Sequence, residues 1–569
     1  MNVSNPVPRV MQLVVAWLTL VVLSGVSTDA ANPDSDPDVP TIIKRADIPG
    51  LGLAVVTPDE LRVSIYGDAK VGQQPATEET VFEAASLTKP VVAYLVMRLV
   101  ERDVLRLDDR LIELLPSLPL PADDARSQEV TVRMALAHMT GLDGPDDRML
   151  TFAEDPGTTF RFYPAGYRLV QRIIEDKEGA SLDVLAKRDV FDPLGMTSSS
   201  LVYLTDFADR LATRHGILIS PIDRDRDPSL PANAAASLMT TTRDYGLFLQ
   251  AMLQPKGLSE ASVKAMLTPQ IKVEDPDVGV AWGIGWGLEP QKGTFFHWGD
   301  DGAAKCFTIG SRSDERAMVY FTNSFYGMSI ADEMSKRYFP GDKPSVEWLG
   351  YKSWDSPYRL ARRDILRAFV DGGADAGMQV FEDYESRYES LNIAGVANWM
   401  VWLLELRDLH EGRIRVLNWQ RGKDPKNVDV FLNLAKSHRA LGDYDAAIKT
   451  LLEARDLADP SLHTYIDGQV SWVEDSVKAN ANQGKPPELD PAVYVGSYTI
   501  REITEEDGKL WYQREGRPRY LMTWMHGTTF DVEELASFRI RFVLEEGRSV
   551  KLIAYDSDGG TDESLRSAD

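Results

Sequence analysis

Ser86 and Lys89 stand three residues apart in Thr80-Val-Phe-Glu-Ala-Ala-Ser-Leu-Thr-Lys89. On a helix that spacing puts two side chains on one face. A serine hydroxyl beside an amine is a nucleophile with a proton acceptor, provided the amine is neutral. The run that follows, residues 90–100, is apolar almost all round and so reads as a buried helix. A lysine in the first turn of such a helix faces a low dielectric and the positive end of the helix dipole, and both pull its pKa down. The helix N-terminus also offers N–H groups to a developing oxyanion. The same two residues fit an N-cap serine followed by an ordinary helix lysine. The pair by itself leaves both readings open.

Other chemistries find less support. The seven histidines, His138, His215, His297, His410, His438, His463 and His526, show no paired ligand spacing, so neither a metal nor another cofactor is expected. No Gly-rich phosphate loop stands between a strand and a helix. The net charge is −25, with acidic and basic residues interspersed and no basic stripe, which excludes a nucleic-acid partner. Cys306 is the single cysteine, so no intrachain disulfide can form; it reads as a small buried strand residue.

The elements that must position Ser86 and Lys89 follow from patterning. Residues 52–56 and 61–66 read as paired strands, and a helix is expected from about Ser86 to Asp103. Helical segments run to about 195, and β character returns between 281 and 322. Strands flanking a helical middle give an α+β fold with one antiparallel sheet. Arg9, the apolar run 10–23 and a small-residue end near Ala30 read as a secretory signal peptide, residues 1–30, with an uncleaved membrane anchor as the alternative. The hydrolytic candidates fall in 31–343. Residues 344–482 read as helical, with one tetratricopeptide-like pair over 429–454 turning at Gly442. After a Pro-rich linker, 488–569 alternates short strands and turns as a small all-β, barrel-like domain, with residues 556–569 expected to fray.

Several segments, in order, resemble the serine β-lactamase and penicillin-binding-protein superfamily. They are Ile48-Pro-Gly50, Thr80 to Lys89, Arg106-Leu-Asp-Asp109, Leu136-Ala-His-Met-Thr-Gly-Leu142, Phe162-Tyr-Pro-Ala-Gly-Tyr167, Phe191-Asp-Pro-Leu-Gly-Met196, Trp286-Gly287, His297-Trp-Gly299 and Phe321-Thr-Asn-Ser324. The nearest branch is the one holding class C β-lactamases, D-alanyl peptidases and family VIII carboxylesterases. The resemblance implies a β-lactamase/transpeptidase-like domain, with Ser86 acylated and Lys89 sharing its proton. It implies Tyr163 as general base and then acid, and His297 in place of a strand lysine, facing the substrate carbonyl or the tyrosine oxygen. Gly299 lets the backbone approach substrate, and the N–H groups of Ser86 and Asp300 form the oxyanion hole. Trp298 is expected to pack away from the cleft. The family's Tyr-x-Asn is here Tyr163-Pro-Ala165, and Ala165 cannot hold a substrate amide, which favours ester over β-lactam or D-Ala-D-Ala cleavage. Residues 489–555 resemble a lipocalin-like C-terminal module.

The expected function is an exported, periplasmic or secreted serine hydrolase acting on a small-molecule or peptide ester or amide. The helical domain is a candidate protein-docking module, and no membrane span remains once the signal is removed. The alternative is a non-catalytic envelope binding protein on the same fold.

Overall fold

The computed structural model describes residues 38–567, apart from 147–148, 223–226, 274–277, 482–489 and 536. The expected signal peptide and most of the Pro-rich linker therefore lie outside the described residues. In chain order the site is framed by strand β1 (Gly50–Val56), strand β2 (Val81–Ala85), helix α1 (Thr88–Glu101), helix α2 (Ala165–Glu178) and strand β3 (Leu238–Thr241). Then come β4 (Thr294–Asp300), β5 (Lys305–Ser311) and β6 (Arg316–Thr322). Among the described residues nine strands make one sheet, in which β4, β5, β6 and β1 are consecutive neighbours. The pairing is antiparallel: Leu53 lies opposite Tyr320, and Asp300 opposite Lys305. β1 and β6 can sit at the centre because both are almost continuously apolar and bury both faces. The expected α+β arrangement is the one found.

Helix α1 is apolar all round and is buried accordingly, with Val91, Val92, Ala93, Tyr94, Leu95 and Val96 fully enclosed. It begins at Thr88, two residues later than expected, and Leu87 at its N-cap makes no side-chain capping bond. The capping role for Ser86 is thereby excluded. β2 and β3 form a separate two-stranded ladder, whose register shifts between Glu83 and Ala85 just before the serine.

Beyond β6 come α3 (Pro344–Leu349) and the long helix α4 (Pro357–Arg387), followed by helices Ile393–Glu405, His410–Lys423, Val428–Ala440, Tyr444–Leu457 and His463–Ala481. The first of these share a core with the sheet domain: Phe369, Phe381, Met400 and Leu404 belong to the same buried cluster as Leu53 and Phe321. Arg359 pins α4 to the sheet domain, donating to Trp354 O (2.9 Å) and Asp47 Oδ2 (3.0 Å) with its guanidinium 4.0 Å over the Tyr326 ring. The expected helix pair is present and turns at Gly442, whose φ of +75° suits glycine. Among the described residues no helix is long and apolar enough to cross a membrane.

The C-terminal strands form an eight-stranded antiparallel meander, nearly closed where Ser567 N donates to Ser497 O at 2.8 Å. Its interior is filled by side chains including Tyr498, Tyr512, Phe530 and Phe542. Up to Ser567 the last segment, expected to fray, is paired instead. Thr561–Leu565 pairs with Arg548–Asp556, because backbone hydrogen bonding needs no apolar side chains. The helix His463–Ala481 docks on this barrel through Arg539, which lies 3.7 Å over Trp472, and through Tyr555, whose hydroxyl donates to Asp475 at 2.6 Å.

Candidate active site

Ser86 occupies the turn between β2 and α1, partly exposed. Ala85 before it adopts a φ of +45°, a costly conformation for a residue with a Cβ, stored where the strand turns sharply into the helix. Thr88 locks that turn from within: its hydroxyl donates to Ala85 O (2.6 Å) and accepts from Leu238 N (2.9 Å) on β3. Lys89 lies one helical turn on, 1% exposed, with Nζ 2.8 Å from both Ser86 Oγ and Ala235 O. Its ammonium stands 5.0 Å from the Phe162 ring centre and 5.8 Å from that of Tyr167. Burial, helped by the positive charge of Arg168, pulls the lysine down to about 7. A neutral amine is thus accessible near neutral pH, hydrogen-bonded to the serine oxygen.

His297 on β4 is fully buried, and its Nδ1 lies 2.8 Å and 2.9 Å from the backbone O and N of Trp298. Its Nε2 is buried without a hydrogen-bond partner among the described residues. Burial and then the charge of Lys89 push this imidazole down to about 3, so it is neutral at physiological pH. His138 is a second buried imidazole, driven well below its usual range first by burial and then by Lys89. Its Nδ1 lies 3.3 Å from Tyr163 N and 3.2 Å from Tyr163 O.

The approach of β4 to the Ser86 turn follows from close packing. A Cβ on Gly299 would come within 2.4 Å of Ala84 O and 2.5 Å of Cys306 Sγ, so only glycine lets β4 close on the strand carrying Ser86. Cys306 is itself buried in β5, as expected, and burial holds its thiol well above the usual range. Buried Arg214 bridges the two sides. It pairs with Glu83 on β2 and with the carboxylate of Asp301 just past β4, and its Nη1 donates to Asp301 O at 3.1 Å. Neither Arg214 nor this bridge was singled out from the sequence, because Glu83 and Asp301 are distant in the chain and common in type.

The second motif differs from the expectation. The Tyr163 hydroxyl donates to Gly144 O at 2.8 Å, and among the described residues it makes no hydrogen bond with Ser86 or Lys89. The ring beside Lys89 is that of Phe162, which also packs on Trp298 (4.6 Å) and lies 6.1 Å from His297. The frame is set by α2. Gly166 packs against Ala135, where a Cβ would meet Ala135 O at 2.9 Å, and Tyr167 donates to Leu136 O at 3.0 Å. Fixed there, the approach to α2 turns Phe162 toward Lys89 and Tyr163 toward Gly144. Ala165, expected at the substrate-amide position, is fully buried at the start of α2. Counted from Phe162, the third motif position falls on Pro164, which has no donor to offer. Trp298 does not pack away: it meets Phe162 and, at 5.5 Å, Trp348 of α3. The pairing of strand Gly287–Glu289 ends at Phe296, so the rest of β4 is flanked by rings. Among the described residues no cluster of histidine, cysteine or carboxylate side chains is fit to hold a metal ion.

A family model described as Beta-lactamase matches residues 38–340, just over half of the chain. Penicillin-binding protein 4 of Amycolatopsis lactamdurans is 28% identical over 291 residues, which are 45% of this chain and 75% of that protein. Esterase EstB of Burkholderia gladioli is 40% identical over 81 residues, 14% of this chain and 20% of that protein. A solved class C beta-lactamase aligns at 20% identity with a TM-score of 0.46, covering 53% of this chain and 94% of that one.

Proposed function

We propose that this chain, which belongs to the beta-lactamase family, is a serine hydrolase that cleaves esters through an acyl-enzyme on Ser86. One observation carries the reading: the buried Lys89 amine lies 2.8 Å from Ser86 Oγ. Neutral Lys89 accepts the serine proton as Oγ attacks the carbonyl carbon. The N–H groups of Ser86 and Asp300 hold the oxygen of the tetrahedral intermediate. As the intermediate collapses, protonated Lys89 returns its proton to the departing alkoxide, leaving an alcohol and acyl-Ser86. Water, with its proton passed to the same amine, then releases the acid. An alcohol leaves with little help, whereas an amine needs a well-placed acid. With Phe162 where a phenol would stand and Pro164 where an amide would stand, ester cleavage is favoured over that of β-lactams or peptides. The apolar run at residues 10–23 supports a site of action outside the cytoplasm.

Wild type is expected to be labelled by a fluorophosphonate probe and to hydrolyse p-nitrophenyl acyl esters, while Ser86→Ala does neither. A second reading, a ligand-binding protein that no longer turns over, is favoured by Phe162. An unlabelled, inert wild type that still binds peptidoglycan fragments would establish it in place of the first.

A further inference from the structure

The two N–H groups assigned to the oxyanion come from the turn after β2 and from the end of β4, and β2 and β4 lie in different sheets, so their spacing depends on what holds each in place. Arg214 makes one tie. A separate anchor holds the end of β4 itself, on the side chain of Asp300. Its Oδ2 accepts from Lys305 Nζ and from the Tyr351 hydroxyl, each at 2.6 Å, and its Oδ1 accepts from Gly302 N at 3.1 Å. Lys305 is buried, with its ammonium 4.9 Å from the Phe325 ring and 5.2 Å from the Tyr351 ring. Tyr351 follows α3, which is seated on the site by Trp348 packing against Trp298, Trp282 and Phe160. All of 344–351 lies beyond the family-matched residues 38–340.

An aspartate at an oxyanion hole is a liability. Its carboxylate opposes the negative charge that develops on the substrate oxygen, by Coulomb repulsion that strengthens as water is excluded. Here that carboxylate is neutralised by a buried ammonium and held by a phenol. We infer that Tyr351, supplied by the segment after the family domain, is a positioning residue for acyl transfer: with Lys305 it holds the Asp300 carboxylate away from the reacting carbonyl and fixes the Asp300 N–H opposite that of Ser86. The inference rests on the acyl-enzyme reading. It makes the chain beyond residue 340 part of the active site.

Tyr351→Phe keeps the ring and removes only the hydroxyl. With sites counted by fluorophosphonate titration, kcat on a p-nitrophenyl ester should fall about tenfold with KM changed less than about twofold, because the loss falls on the transition state. Lys305→Met should lower kcat further, since the carboxylate then stands uncompensated; if that variant does not fold, Tyr351→Phe still decides. An active wild type with unchanged kcat per site in Tyr351→Phe, whatever its melting temperature, overturns the positioning role alone. An unlabelled, inert wild type overturns the acyl-enzyme reading instead.

Discussion

At the turn between β2 and α1, Ser86 Oγ meets an amine, the amine meets a carbonyl at Ala235, and Thr88 braces the backbone. Across the cleft, at the turn leading into α2, the side chain facing the same amine is the hydrocarbon ring of Phe162, and the neighbouring phenol is turned to Gly144. One side therefore carries a hydroxyl hydrogen-bonded to an amine, and the other turns a hydrocarbon ring toward that amine. In the proposed acyl transfer this difference assigns the proton traffic to Lys89. It is also the basis for the proposed preference for an easily departing group.

The largest effect that would break this comparison is on Lys89. Lys89→Met should lower ester turnover by about 10²–10⁴-fold, the usual worth of a positioned general base. In wild type the acylation rate should rise with pH through about 7, because only the neutral amine accepts the serine proton. A stability signature accompanies it. Between about 7 and the ordinary lysine value of 10.5 the unfolded chain binds a proton that the folded chain does not, so stability gained from this group rises with pH across that window. Lys89→Met should therefore melt higher than wild type at pH 7, by a margin that shrinks toward pH 10.5. A margin independent of pH would contradict the burial of an unwelcome charge.

A smaller effect sharpens the other side. Phe162→Tyr places a phenol beside Lys89 and should raise turnover by about tenfold, below the roughly 10²–10⁴-fold of a fully positioned acid–base group. The gain should be greater on anilide than on ester substrates. No gain on either would mean that the ring at 162 is not the one facing the reacting atoms.

Much of this was legible in the sequence where local pattern and chemistry agree. The apolar run after Lys89 announced a buried helix and a depressed amine, the alternating segments announced the sheet, and Gly442 marked its turn. The frame at 162–163 was not legible. Two adjacent aromatics are alike in type, and the choice is made by Gly166 packing on a helix some thirty residues upstream. Trp298 defied strand alternation because half of β4 is flanked by rings rather than by another strand. The Asp300, Lys305 and Tyr351 cluster joins residues up to 51 apart, and no local spacing encodes it. The polar Thr561–Leu565 strand was missed because it carries no apolar alternation; backbone pairing and polar ties such as Lys551 to Glu563 (2.9 Å) hold it.

The assignment of proton transfer to Lys89 rather than to the family's expected tyrosine is tested most directly by single-turnover acylation of Tyr163→Phe across pH. With Lys89 as the proton carrier, the expected rate is within about twofold of wild type, with the same rise through about 7, since the phenol removed donates to the Gly144 carbonyl. A fall of about a hundredfold or more, or loss of the rise near 7, would put Tyr163 back in the reaction and contradict it.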